Sequence, residues 1–370
     1  MNKENYDTLD ILRGLSALFV IVYHYYIYFF TQPEISASLL DVEPVYLPDP
    51  FYLQPLLNIP VDIGHLGVAF FFLISGFLIL PSLERYSSLK TFLIHKIFRL
   101  WPRYVFCFSS GLVFVAAFYF FRNSPFPYSF GQILSYFFWV RDFFHYPMID
   151  GTIWTLELQI KFYIFAVVVW SLGKKNFTEK ICYLFLFMSI VVYGLYLSGD
   201  GEESSWFYLI ILARKTLKYS LLILLGSCIY SYYKKELPGG KTLFLCSLLV
   251  IFFVSPLFSS PSYPKTVSYL LGFFIFSYLV LYHGKSKMRD GIIRKTIKWV
   301  SSISYPLYIG HVLPGYTLMY FMFNQGISVF WGSFIALFYA FLMAYFVHEK
   351  IELVFIKLNK KMSINKIENP

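Results

Sequence analysis

The stretch LDILRGLSALFVIVYHYY, residues 9–26, sets the reading of the whole chain. It is apolar enough for a membrane-spanning helix, yet it carries Arg13 and His24 eleven residues apart. At about 100° per residue, eleven steps end roughly 20° beyond three full turns, so both side chains share one helix face. At about 1.5 Å per residue, His24 then lies about 16 Å deeper than Arg13. Two aligned ionisable groups in hydrocarbon cost several kcal/mol unless they face a polar cavity. The spacing therefore predicts a buried site approached from a charged mouth.

The rest of the chain fits that solvent. Of 370 residues, 58% are hydrophobic and 14% charged, and apolar runs recur from end to end. An all-α polytopic membrane protein is expected, in one transmembrane domain over 1–352 with a basic cytoplasmic tail at 353–370. Candidate spans are 11–30, 65–81, 104–121, 152–172, 181–199, 207–232, 242–257, 267–283, 299–322 and 329–349, ten in all. Loops at 82–103, 174–180, 234–241 and 284–298 are basic, whereas 31–66 and 199–205 are acidic or neutral. The positive-inside bias thus places both termini in the cytoplasm of a cytoplasmic (inner) membrane. Residues 128–140, YSFGQILSYFFWV, are too short for about 30 Å of hydrocarbon and are expected to form a re-entrant or outer-leaflet helix. The first span lacks the flanks of a cleaved signal and is expected to remain.

Composition also narrows the function. The net charge of +10 is concentrated in short inter-span loops, which is orientation charge rather than a nucleic-acid footprint. Cys107, Cys182, Cys228 and Cys246 lie in apolar segments without CxxC pairing and read as core residues, so no metal site is expected. His145 and Asp150 form an H-x4-D pair, but with Pro147 between them the pattern reads as chance.

The polar groups inside the spans are the candidates for chemistry. Ser304, Tyr308 and His311 recur at i, i+4 and i+7, with His311 about 20 Å above Lys298. Ser75 lies near mid-span, and Glu157 and Gln159 lie near the outer start of 152–172. A histidine base needs a polar neighbour to fix its tautomer, and a second histidine, a carboxylate or a hydroxyl can serve. Each also has a structural reading: helix–helix hydrogen bonding for His24 and His311, packing for Ser75, an i+4 pair with Lys161 for Glu157, and snorkelling for Arg13. Lys96, Arg99 and Arg103, at i, i+3 and i+7, form a cationic face suited to phosphate, or to membrane orientation and anionic lipid contact.

Six stretches in order resemble the acyltransferase-3 family of integral membrane acyltransferases. They are LDILRG with His24 (an Arg-x10-His pattern), GVAFFFLISGF at 67–77, KIFRLWPRY at 96–104, WTLELQIKFY at 154–163, SISYPLYIGH at 302–311 and FVHEKIE at 346–352. The resemblance implies transfer of an acyl group, usually acetyl, to a hydroxyl of a carbohydrate or lipid-linked glycan. It also implies essential roles for His24 and Arg13 and a donor site near the basic stretch. Three positions depart from the pattern: Gln159 where many members carry Glu, Ala69 at an often acidic position, and Lys96 for the first arginine.

Together these readings give an O-acyltransferase. Acetyl-CoA, or another acyl-CoA, is expected as co-substrate rather than as a resident cofactor, docking on Lys96, Arg99 and Arg103 with Arg13 at the mouth. His24 is the base or the transient acyl carrier. His311 and Glu157 are expected as catalytic partners, and Tyr308, Ser75 and Gln159 as substrate contacts. Carbohydrate or glycolipid acceptor and membrane lipid are the expected partners, and nucleic acid is not. The alternative is a transporter or flippase of a glycolipid or a proton-coupled solute, which intramembrane His and Arg suit equally.

Overall fold

A computed structural model describes residues 3–86, 88–199, 205–255, 263–283, 291–352 and 354. The described residues form helices and connecting turns with no strand. The principal helices are α1 (Lys3–Tyr23), α2 (Ile63–Phe77), α3 (Leu89–Phe121), α4 (Ile153–Ser171), α5 (Phe177–Ser198) and α6 (Ser205–Tyr233). They continue as α7 (Gly239–Val254), α8 (Tyr263–Tyr278), α9 (Ile292–Ile309), α10 (Val312–Asn324) and α11 (Val329–Val347). Short helices cover Pro33–Ser38, Leu53–Leu57, Ile79–Arg85 and Phe130–Phe137. The tail at 353–370 lies outside the described residues except for Val354, as do 284–290 and 200–204 of the loops used for orientation.

Among the described residues, seven helical stretches are long and apolar enough to cross a membrane: Asp7–Thr31, Ile63–Arg85, Leu89–Phe121, Ile153–Ser171, Phe177–Ser198, Tyr263–Tyr282 and Val329–Ile351. The other three expected spans differ in kind. That at 207–232 falls on α6, which is long but carries Arg214, Lys215 and Lys218. That at 242–257 falls on α7, whose 16 residues reach only about 24 Å. That at 299–322 is broken in two. Pro306 withholds an N–H inside α9, the helix stops at Ile309, and α10 begins at Val312 with Pro314 in its first turn. At Gly310 a side chain would collide with Met343, its Cβ coming within 2.2 Å of the Met343 methyl carbon. The segment at 128–140 contains a single 8-residue helix started by Ser129, whose Oγ accepts the Gln132 N–H at 3.2 Å.

The chain packs as two compact units. The first comprises the described residues of Met1–Ser16, Pro60–Phe92 and Thr155–Arg289. Its centre is α6, in which twelve consecutive residues, 220–231, are buried, as expected for a helix packed on every side. Helix α2 meets α6 at two glycines. A Cβ on Gly76 would stand 1.7 Å from the Ile223 carbonyl oxygen, and one on Gly226 would stand 2.1 Å from the Leu73 oxygen. The Ser227 hydroxyl donates to the Gly76 carbonyl at 3.0 Å across this contact. Without a hydrophobic drive between helices in lipid, close small-residue packing of this kind is what holds them together. Cys182 and Cys228 meet at 3.7 Å in the α5–α6 contact as buried free thiols.

The second unit comprises the described residues of Ala17–Ile59, Leu93–Trp154 and Asp290–Pro370. Helices α9 and α10 both pack on α11. The first span opens here into a π-helical turn, His24–Tyr28, before closing as Phe29–Thr31. Such wide turns leave backbone groups and side chains splayed and are frequent at functional sites.

Candidate active site

The π turn begins at His24, and the α9–α10 break sets His311 at the N-cap of α10. Within the second unit these irregularities bring the two imidazoles together. His24 Nδ1 and His311 Nε2 lie 3.0 Å apart, with ring centroids 5.0 Å apart. His311 is fully buried, and His24 is half-buried.

The surroundings fix the tautomers. His311 Nδ1 faces the carbonyls of Tyr308 at 2.9 Å and Leu307 at 3.1 Å. Carbonyls only accept, so Nδ1 carries the hydrogen, and Nε2 of the neutral ring holds the lone pair. His24 Nδ1 must then donate to that lone pair, which leaves Nε2 as the basic nitrogen of His24. A proton taken up at that nitrogen produces an imidazolium whose Nδ1–H is already bonded to His311. The charge can pass to a ring held by two carbonyl dipoles. His311 therefore orients and supports His24, as a carboxylate does in other histidine bases.

Tyrosines complete the cage. Tyr25 Oη donates to the His311 carbonyl at 2.6 Å, and the Gly315 N–H donates to the same oxygen at 3.0 Å. Gly315 is required here, because a Cβ would lie 1.9 Å from Tyr25 Oη. Tyr316 Oη donates to the His24 carbonyl at 3.3 Å, and the Tyr28 ring meets the His24 ring edge-on at 5.7 Å. Tyr308 supplies its carbonyl, with its ring 6.4 Å from that of His311. Tyr25 and Tyr316 were missed in the sequence because one tyrosine among 32 carries no signal; only their bonds to the His311 and His24 carbonyls single them out. Tyr25→Phe removes one hydrogen bond, worth about 0.5–1.5 kcal/mol, from the carbonyl that positions His311. The expected result is a kcat about 2–10-fold lower at unchanged protein level, read by initial-rate kinetics.

The remaining candidates lie as follows. On α3 of the second unit, Lys96 is half-buried, Arg99 exposed and Arg103 buried at 4% exposure. Pro102 interrupts the ladder of α3, and Arg103 turns its guanidinium back to the backbone there. Arg103 Nε donates to the Arg99 carbonyl at 2.7 Å, with Nη2 on the same oxygen, and the group sits 4.6 Å over the Tyr305 ring. Arg103 is thus held on its own helix, while Lys96 and Arg99 are the more accessible cations. Ser304 turns its hydroxyl to the Ser301 carbonyl at 2.7 Å, and His311 leaves the expected stripe because α9 has already ended.

In the first unit, Arg13 pairs with Asp10 at 3.0 Å, one turn earlier on α1, which runs unbroken from Lys3 to Tyr23. Gln159 Nε2 donates to Ser75 Oγ, tying α4 to α2. Glu157, two residues before Gln159, is 1% exposed. Sequence reasoning also passed over Arg214 and Lys218, although three cations in an apolar run were the available signal. Arg214 lies 3.5 Å over the Tyr196 ring, and Lys218 Nζ lies 5.6 Å over that of Phe253.

A family model described as an acyltransferase domain, Acyl_transf_3, matches residues 6–349. No curated protein matches the chain, and no solved structure does.

Proposed function

The chain belongs to the acyltransferase-3 family, and on that footing we propose that it moves an acetyl group from cytoplasmic acetyl-CoA to a hydroxyl of a cell-surface carbohydrate or lipid-linked glycan. The observation that carries this reading is the His24–His311 pair, with its tautomers fixed by two backbone carbonyls. His24 Nε2 takes the proton of the acceptor hydroxyl as its oxygen attacks the thioester carbonyl carbon. The C–S bond then breaks, and the leaving thiolate recovers that proton from the His24 imidazolium. Base and acid are thus one group in successive steps, and His311 holds the ring in place for both.

The donor's phosphates dock on Lys96 and Arg99, with Arg103 holding the helix that presents them. Termini and basic loops face the cytoplasm of the inner membrane, which brings these cations to the side where acyl-CoA is made. Phosphate contacts hold the donor equally in ground and transition states. Arg99→Gln should therefore raise the donor KM with kcat little changed, as tested by acetyl-CoA titration of the purified protein. If kcat falls while KM stays, the basic stretch is not the dock.

A further inference from the structure

The π turn of the first span sets two rings beside His24. In an α-helix, residues five apart stand about 140° apart around the axis, on different faces. In the turn His24–Tyr28 the bonding runs five residues back, as from the Phe29 N–H to the His24 carbonyl, and Tyr28 returns to the side of Tyr23. The two phenol rings meet at 5.7 Å between centroids. Each also meets the His24 ring edge-on, Tyr23 at 5.8 Å and Tyr28 at 5.7 Å. The three centroids thus form a nearly equilateral triangle, with both phenol rings on one side of the imidazole.

Core filling does not account for the pair. Tyr25, Ile27 and Phe29 carry the buried face of this stretch, whereas Tyr23 and Tyr28 are half-buried together with His24. What the rings restrict is rotation of the imidazole. The ring torsion of histidine is broad and roughly two-fold, so by itself it does not choose between one orientation and its flipped form. A flip exchanges Nδ1 with a ring carbon. It would break the 3.0 Å bond to His311 Nε2 and carry the basic Nε2 to the opposite edge of the ring. Edge-to-face rings with centroids about 4.5–7 Å apart are in contact, so the imidazole turns only by displacing Tyr23 or Tyr28.

His311 and the phenol rings therefore divide one task. The hydrogen bond selects which nitrogen of His24 carries the hydrogen, and the rings keep that nitrogen where the bond can form. Tyr316 Oη, bonded to the His24 carbonyl at 3.3 Å, holds the backbone from which the imidazole projects.

We propose that Tyr23 and Tyr28 are positioning residues whose rings clamp the His24 imidazole, with Nδ1 toward His311 and Nε2 toward the reacting hydroxyl. The effect on rate rests on the acyltransferase reading above, whereas the effect on the tautomer does not. The clamp is made by rings rather than hydroxyls, so phenylalanine should replace tyrosine and leucine should not.

The test combines kinetics with solid-state NMR of the full-length protein in lipid, labelled with nitrogen-15 at its seven histidines. The His24 signals are those lost in His24→Ala. In the parent they should show one tautomer, with the hydrogen on Nδ1. Acetyl transfer is followed from acetyl-CoA to membranes of cells lacking the protein, which supply the acceptor. Tyr28→Leu should show both tautomers and lower kcat about tenfold or more, with the acetyl-CoA KM within about twofold of the parent. Tyr28→Phe should recover the single tautomer and most of the kcat. If Tyr28→Leu does not accumulate, Tyr23→Leu should give the same pair of results. A single tautomer or a parental kcat in the leucine variants overturns the clamp, and so does failure of both to accumulate, which would mark the rings as structural. An equal loss in Tyr28→Phe would assign the effect to the hydroxyl, and a raised KM at unchanged kcat would make Tyr28 a substrate contact; either overturns it as well. A tautomer that depends on the Tyr28 ring in a protein that transfers no acyl group would sink the acyltransferase reading alone.

Discussion

His24→Ala should lower acyl transfer by about 10²–10⁴ while the protein inserts and accumulates as before. Its imidazole is half-buried, bonds His311 at 3.0 Å and meets the rings of Tyr23, Tyr28 and Tyr316, so protein amount is measured beside activity. Truncation removes the nitrogen that accepts the proton. Donor affinity should be preserved, because the phosphate contacts are made elsewhere. His311→Ala should also lower kcat, but less, since His24 would remain with its tautomer unfixed. Kinetics on equal amounts of purified protein separate the cases, and His24→Ala activity within a few-fold of the parent would remove the base assignment.

The second large effect concerns folding. Gly76→Val should abolish accumulation of the folded protein, because the new Cβ falls 1.7 Å from the backbone oxygen of Ile223, and backbone cannot rotate aside. Helices α2 and α6 would have to separate at the centre of the first unit, along the buried stretch 220–231 of α6. Overpacking of a tight contact typically costs about 1–3 kcal/mol, and displacement of two backbones belongs at or above the top of that range. Gly194→Ala, on α5 with nothing within 4 Å of its Cβ, is the control and should elute normally. Size-exclusion profiles of the two variants read the outcome; equal monodisperse peaks would contradict the close approach.

Much of the site was legible because membrane burial makes polarity conspicuous. Arg13, His24 and His311 stand out in apolar runs, and helical spacing predicts one face of the first span for the first two. The direct His24–His311 contact was not legible. It depends on a π turn and on a helix break, and both lie in sequence whose hydropathy is continuous. Pro306, Gly310 and Pro314 were the available clues to the break, but each is tolerated inside membrane helices. Arg103 shows the opposite limit: its spacing aligned it with Lys96 and Arg99, yet its guanidinium turns back to the Arg99 carbonyl. The span count was least secure where charge and length disagree, as in α6 with its three cations and the short α7.

The most direct measurement is mass spectrometry of cell-surface glycans from three otherwise identical strains: without the protein, with the parent protein, and with His24→Ala at matched abundance. The proposed function predicts an acetyl-sized, alkali-labile mass increment in the parent strain alone. An increment that persists with His24→Ala, or glycans identical in all three strains, would contradict it.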